Sequence, residues 1–217
     1  MKWYLDFGHG GKAPGAIGTN NTKESNIVLK IGMLVKKHLE AYSQTVITTR
    51  ESDTYHTLDY RTNKANKNNC DYFISLHMNS ATNKTAKGCE VWLYDSNSKL
   101  YPLAKKLCSN LSTTLNTLNR GVKESKNFYV LRKTKMPALL IEIDFLSNQE
   151  IENLCSKEDY IKKVAHIIAS TLLTFVNKNI ENKTLYKVCI GAFNDKSNPT
   201  YLKNEAISKG FKNTYII

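Results

Sequence analysis

Two runs of this chain, Tyr72-Phe73-Ile74-Ser75-Leu76 and Ala138-Leu139-Leu140-Ile141, are apolar with almost no alternation, and they limit the fold more than any other feature. A strand that is apolar on both faces must be covered on both faces, and the usual solution is an interior parallel strand flanked by helices. Stripes able to supply that cover lie on either side of the two runs. Ile27, Ile31, Leu34, Val35 and Leu39 predict a helix over 24–42, and a more polar helix is expected over 58–68. Leu100, Leu103, Ala104, Leu107, Cys108 and Leu111 predict another over 100–118. The fullest stripe, from Ile161 through Val164, Ile168 and Leu172 to Val176, closes the main body.

Further strands are expected at 2–7, where Trp3, Leu5 and Phe7 alternate and Gly8 follows, and at 45–49, 71–77, 89–94 and 138–143. A β-like stretch is expected around 128–132. Strands and helices in alternation define the α/β class: a mixed, mostly parallel twisted sheet with helices on both faces. After Val176 the polar run 178–184 reads as a linker between a domain at 1–177 and a unit at 185–217. That unit reads as a single β-α-β: a strand at 185–192, a helix from Asn198-Pro199 to about Lys209, and a strand at 214–217. It is too small to hold a core alone.

With 217 residues, 41% of them apolar, the chain suits one domain of ordinary size and a small appendage. No run approaches the roughly 18 apolar residues of a membrane span, and Met1 leads straight into Lys2-Trp3-Tyr4-Leu5-Asp6 with no apolar leader. Synthesis as a soluble cytoplasmic protein is therefore expected. Cys70, Cys89, Cys108, Cys155 and Cys189 are odd in number and contain no C-x-x-C pair, which fits buried thiols better than a disulfide framework or thiolate metal site. The net charge of +12 favours a polyanion, but the lysines are dispersed and no nucleic-acid module is present, so nucleic acid is not expected as a partner.

In open α/β sheets ligands gather beyond the carboxyl ends of the strands, and three of those ends carry unusual residues here. His9 follows the first strand in Gly8-His9-Gly10-Gly11, His77 ends the central strand, and Glu142 lies near the end of the 138–143 strand. Glu24, opening the first helix, would face the same crevice. Alone, each has a plain structural explanation: a histidine bonded at a strand end, or an acid in the first turn of a helix. Together, two imidazoles and a carboxylate make the ligand set of a catalytic zinc, His9, Glu24 and His77, with Glu142 outside it as proton acceptor and donor. A two-histidine, one-carboxylate iron oxygenase uses similar ligands. The glycines are expected to let backbone approach a substrate closely. His38, beside two lysines, His56, in a polar turn, and His166, off its apolar stripe, are left out, while Glu90 in Gly88-Cys89-Glu90 is a candidate to support the ligands or contact substrate, with an ordinary surface strand residue as the alternative.

Across roughly residues 1–176 the motifs fall in the order of one family. They include Asp6-Phe7-Gly8-His9-Gly10-Gly11, Lys23-Glu24-Ser25, Thr49-Arg50, Arg61 with Ala65-Asn66, and Ser75-Leu76-His77-Met78-Asn79. Gly88-Cys89-Glu90, Arg120-Gly121-Val122-Lys123, Val130-Leu131-Arg132 and Pro137-Ala138-Leu139-Leu140-Ile141-Glu142 continue the series. The chain resembles the amidase_3 family of N-acetylmuramoyl-L-alanine amidases. The resemblance implies a zinc hydrolase that separates the stem peptide from the glycan of bacterial peptidoglycan, with zinc on His9, Glu24 and His77 and catalysis by Glu142. Asn79, Glu90 and Arg132 are then expected as substrate contacts. Phe7, where the family often has proline, and Asp144, where a small residue is common, are departures that bear on substrate fit. The tail resembles half of a SPOR-type wall-binding domain, which implies a homodimer that pairs two halves. A phage or prophage endolysin is the setting expected, with a host autolysin or sporulation amidase, or a wall-binding protein without catalysis, as alternatives.

Overall fold

The computed structural model describes residues 1–181 and 197–208. Six strands form one sheet: β1 (Lys2–Phe7), β2 (Thr45–Thr48), β3 (Tyr72–Asn79), β4 (Cys89–Leu93), β5 (Asn119–Glu124) and β6 (Ala138–Phe145). Their order is β2-β1-β3-β6-β4-β5, so the two apolar runs of β3 and β6 lie side by side at the centre. Neighbours are parallel except at β4–β6, which is antiparallel. The sheet is mixed and mostly parallel, as expected.

The helices are α1 (Glu24–Ala41), α2 (Leu58–Lys67), α3 (Tyr101–Leu115), α4 (Tyr129–Lys133), α5 (Gln149–Cys155), α6 (Glu158–Glu181) and α7 (Ser197–Ser208). Successive strand residues point to opposite faces, which separates the core into two layers. Trp3, Leu5, Phe7, Leu76, Ile141 and Ile143 pack with the stripes of α1, α3 and α6. Tyr4, Phe73 and Leu140 meet Ala65 of α2 and Val130 and Leu131 of α4.

The structure departs from the sequence expectations at four places. Residues 128–132 are not a strand: Tyr129–Lys133 is a one-turn helix that buries Val130 and Leu131. A short apolar run carries too few residues to separate period 2 from period 3.6. The edge strand Asn119–Glu124 was not expected, because it offers only Val122 to the core, and the helix expected over 100–118 ends earlier, at Leu115, with Asn116 left-handed at φ 53°. Helix α5 was also not expected; the Asn148 side chain caps it by accepting from the amides of Glu150 and Ile151.

Helix α6 continues to Glu181, through the first residues read as a linker, and the division into two compact units falls between Asn179 and Ile180. In the second unit α7 begins one residue before the predicted Asn198-Pro199 start and exposes Tyr201 and Ile207. The strands expected at 185–192 and 214–217, and Cys189, lie outside the described residues. Cys70, Cys89, Cys108 and Cys155 are buried and free. No described helix is long and apolar enough to cross a membrane.

Candidate metal centre

The reversal at β4 decides what meets at one edge of the sheet. Strands β1, β2, β3 and β6 end there, while β4 and β5 begin there. His9 just past β1, His77 in β3 and Glu142 in β6 therefore share an edge with Glu90 and Arg120.

Glu24, at the first turn of α1, is the hub. Its Oε1 accepts from His77 Nδ1 at 2.9 Å and from the Met78 amide at 2.9 Å. Its Oε2 accepts from the Ala16 amide at 2.7 Å and lies 3.3 Å from His9 Nε2. One ligand atom from each of His9, Glu24 and His77 falls within 4.8 Å of the others, a spacing one cation can span. Burial opposes the charge of Glu24, but the two imidazoles outweigh it and hold the carboxyl well below the usual range. Burial likewise opposes protonation of His77, and the Glu24 carboxylate outweighs it, raising the imidazole above its ordinary value.

Close approach at two glycines makes the cluster possible. A Cβ on Gly8 would sit 2.4 Å from His77 Cε1, and one on Gly15, at φ +74°, would sit 2.4 Å from Glu24 Oε2. The neighbouring loop is tight too, with a Cβ on Gly10 falling 2.2 Å from the Thr54 carbonyl. These glycines thus serve close contacts within the protein.

His9 itself is left-handed at φ 60°, a conformation non-glycine residues hold only when their surroundings impose it. Two buried arginines impose it. Arg50 donates to the carbonyls of Phe7 at 3.0 Å, Gly8 at 2.9 Å and Ser25 at 2.7 Å. Arg61 donates to the Phe7 carbonyl at 3.0 Å, the His9 carbonyl at 2.8 Å and Asp6 Oδ1 at 2.7 Å. Asp6 also accepts from Thr49 at 2.6 Å and Ser75 at 2.8 Å. Burial works against its charge, but Arg61 and Thr49 prevail and lower its pKa. The sequence offered Arg50, Arg61 and Asp6 only as motif positions, since burial of a long polar side chain leaves no periodic trace.

On the far side of His77, Glu142 stands opposite it in register. Its Oε2 is enclosed and has no hydrogen-bond partner, and burial raises its pKa to about 7. Glu90 pairs with Glu142 across β4–β6. It is buried, not on the surface, and accepts from Asn79 at 2.8 Å, Trp92 at 3.1 Å, Arg120 at 2.9 Å and Lys123 at 2.5 Å.

A cleft of about 560 Å³ opens over the cluster. Asn79 lines it; Glu90 does not, but holds Asn79 from behind, while Arg132 stands outside, exposed, over the Tyr129 ring at 5.7 Å. His56, set aside from sequence, lines the opposite wall with its ring stacked on Tyr60 at 4.1 Å. Burial, helped by the cations Arg61 and Lys64, lowers its pKa. His38 and His166 face each other across α1 and α6, outside the cleft lining.

An α/β sheet that gathers two imidazoles, one carboxylate and a second carboxylate with one unpartnered oxygen at its carboxyl edge has a donor set that could hold one metal ion. Residues 4–174 match the family model of Amidase_3, N-acetylmuramoyl-L-alanine amidase, and the chain belongs to that family. It is 34% identical over 221 aligned residues to the sporulation-specific N-acetylmuramoyl-L-alanine amidase of Bacillus subtilis, covering 100% of this chain and 85% of the relative. It is 32% identical over 214 residues to the N-acetylmuramoyl-L-alanine amidase CwlM of Bacillus licheniformis, covering 97% of this chain and 83% of the relative. Among solved structures, AmiC2 of Nostoc punctiforme, also an N-acetylmuramoyl-L-alanine amidase, superposes with a TM-score of 0.76 at 32% identity, over 82% of this chain and 97% of that one.

Proposed function

We propose that this chain is a zinc-dependent peptidoglycan hydrolase that cleaves the amide between N-acetylmuramic acid and the L-alanine of the stem peptide. The observation that carries the reading is the His9–Glu24–His77 cluster standing beside Glu142, whose Oε2 is enclosed without a partner. Zinc bound by His9, Glu24 and His77 would polarise the scissile carbonyl and make water more acidic. Glu142 takes the proton from the attacking water and returns it to the alanine nitrogen as the C–N bond breaks. In the metal-free protein burial already raises its pKa to about 7, the direction that suits a carboxyl that must both accept and give up a proton. Asn79, anchored by Glu90, offers a fixed amide to the substrate from the same wall.

Digestion of purified peptidoglycan with and without a chelator tests the reading. New alanine amino termini that the chelator abolishes, without new reducing sugar ends, are expected. Wall binding with no amino termini would leave a binding protein, and activity that follows iron and oxygen would return the oxygenase alternative.

For the cellular setting we favour the host sporulation amidase over the endolysin. The likeness to the Bacillus subtilis sporulation-specific amidase extends over 100% of this chain, its C-terminal unit included.

A further inference from the structure

We propose, resting on the amidase reading, that the substrate lies along the crevice with its glycan on the β2 side, seated on the ring of Tyr55, and its stem peptide on the β6–β4 side. The polarity follows from Glu142. The group that protonates the leaving nitrogen must face it, so the nitrogen and the peptide it carries point towards β6. The acyl half, bearing the lactyl ether and the sugar, then points past His9 towards the loop that follows β2.

That loop and the first turn of α2 are built differently from the rest of the surface. Of nine exposed large apolar side chains among the described residues, three fall within six positions here: Tyr55, Leu58 and Tyr60, at 42%, 51% and 41% exposure. Tyr55 and Leu58 line the cleft itself. The loop is held against the His9 turn, since a Cβ on Gly11 would meet the Tyr55 amide nitrogen at 2.9 Å. The Tyr55 ring already takes Lys12 Nζ over its face at 4.6 Å. The same negative π-face suits the polarised C–H groups of a pyranose, which could take the place of the exposed Lys12.

The opposite side has other chemistry. Beyond Glu142, outside the lining of the cleft, Arg120 and Lys123 both hold the Glu90 carboxylate, and Lys123 lies over the ring of Trp92, which meets Phe128 of the cleft wall at 5.3 Å. Excess cations suit the carboxylates of a stem peptide, not an uncharged N-acetyl sugar.

The test compares zinc-loaded wild type with Tyr55→Ala, Tyr55→Phe and, as an exposed tyrosine outside the cleft, Tyr42→Ala. The substrates are muramoyl dipeptide, the same dipeptide on a longer glycan, and a longer peptide on the single sugar; binding of a peptide-free N-acetylglucosamine tetramer is read by NMR titration. Truncation of a central aromatic anchor costs on the order of tenfold in affinity. In Tyr55→Ala the tetramer should therefore bind about tenfold more weakly. The lower KM conferred by longer glycan should vanish while that conferred by longer peptide persists, Tyr55→Phe should restore it, and Tyr42→Ala should match wild type. Loss of the peptide-length effect instead, or tetramer binding and glycan-length effect as in wild type, overturns the assignment. If wild type cleaves no muropeptide, the amidase reading fails, and the tetramer titration still decides whether Tyr55 is a sugar platform.

Discussion

At the scale of single residues the site turns on Glu142. Replacing it by alanine removes the proton acceptor and none of the three clustered ligands, so turnover should fall by about two to four orders of magnitude with bound zinc unchanged. Turnover measured beside metal content by mass spectrometry checks this, and retained activity would remove Glu142 from the role. Its titration also has a signed effect on stability. The carboxyl is raised from 4.5 to about 7 in the fold, so below pH 4.5 it is neutral in both states and costs nothing. Between pH 4.5 and 7 the unfolded chain ionises first and the folded state loses stability, by roughly 3 kcal/mol once pH exceeds the folded value. Glu142→Gln cannot ionise. In the metal-free protein it should therefore melt higher than wild type at pH 8 and alike at pH 4, and the same difference at both pH values would refute the account.

At the scale of elements, α5 reaches back to the segment that delivers Glu24. Glu152 of α5 is buried and accepts from the Thr19 hydroxyl at 2.7 Å and the amides of Asn20 at 2.9 Å and Thr22 at 3.2 Å. Glu152→Ala leaves those donors without their acceptor, at about 1–3 kcal/mol for each one that stays buried. We expect a lower melting temperature together with weaker zinc retention in a chelator competition; a loss of stability with zinc affinity intact would separate α5 from the metal centre. This helix also marks the limit of what the sequence discloses. His9, His77 and Glu142 could be picked out because each interrupts an apolar strand or follows its end, and Glu24 because it opens a strong stripe. Glu152, Arg50 and Arg61 could not, because a polar side chain buried by tertiary contacts looks like any surface charge in a linear pattern. The short α4 and the polar edge strand β5 were obscure for a related reason: their burial depends on neighbours far along the chain.

At the scale of the molecule, we propose that two C-terminal units pair and make the protein a dimer. Sedimentation of the full chain at micromolar concentration should then give twice the monomer mass, and a monomer would reject the pairing. The sheet order has its own consequence for a wall-degrading enzyme. His9, Glu24 and His77 lie in the first part of the chain, whereas β6, which brings Glu142, must be inserted between β3 and β4 after both have been made. A chain cut before β6 contains His9, Glu24 and His77 but lacks Glu142 and the strand that joins β3 to β4. On the proposed reading, proton transfer therefore waits on the strand that fills the centre of the sheet.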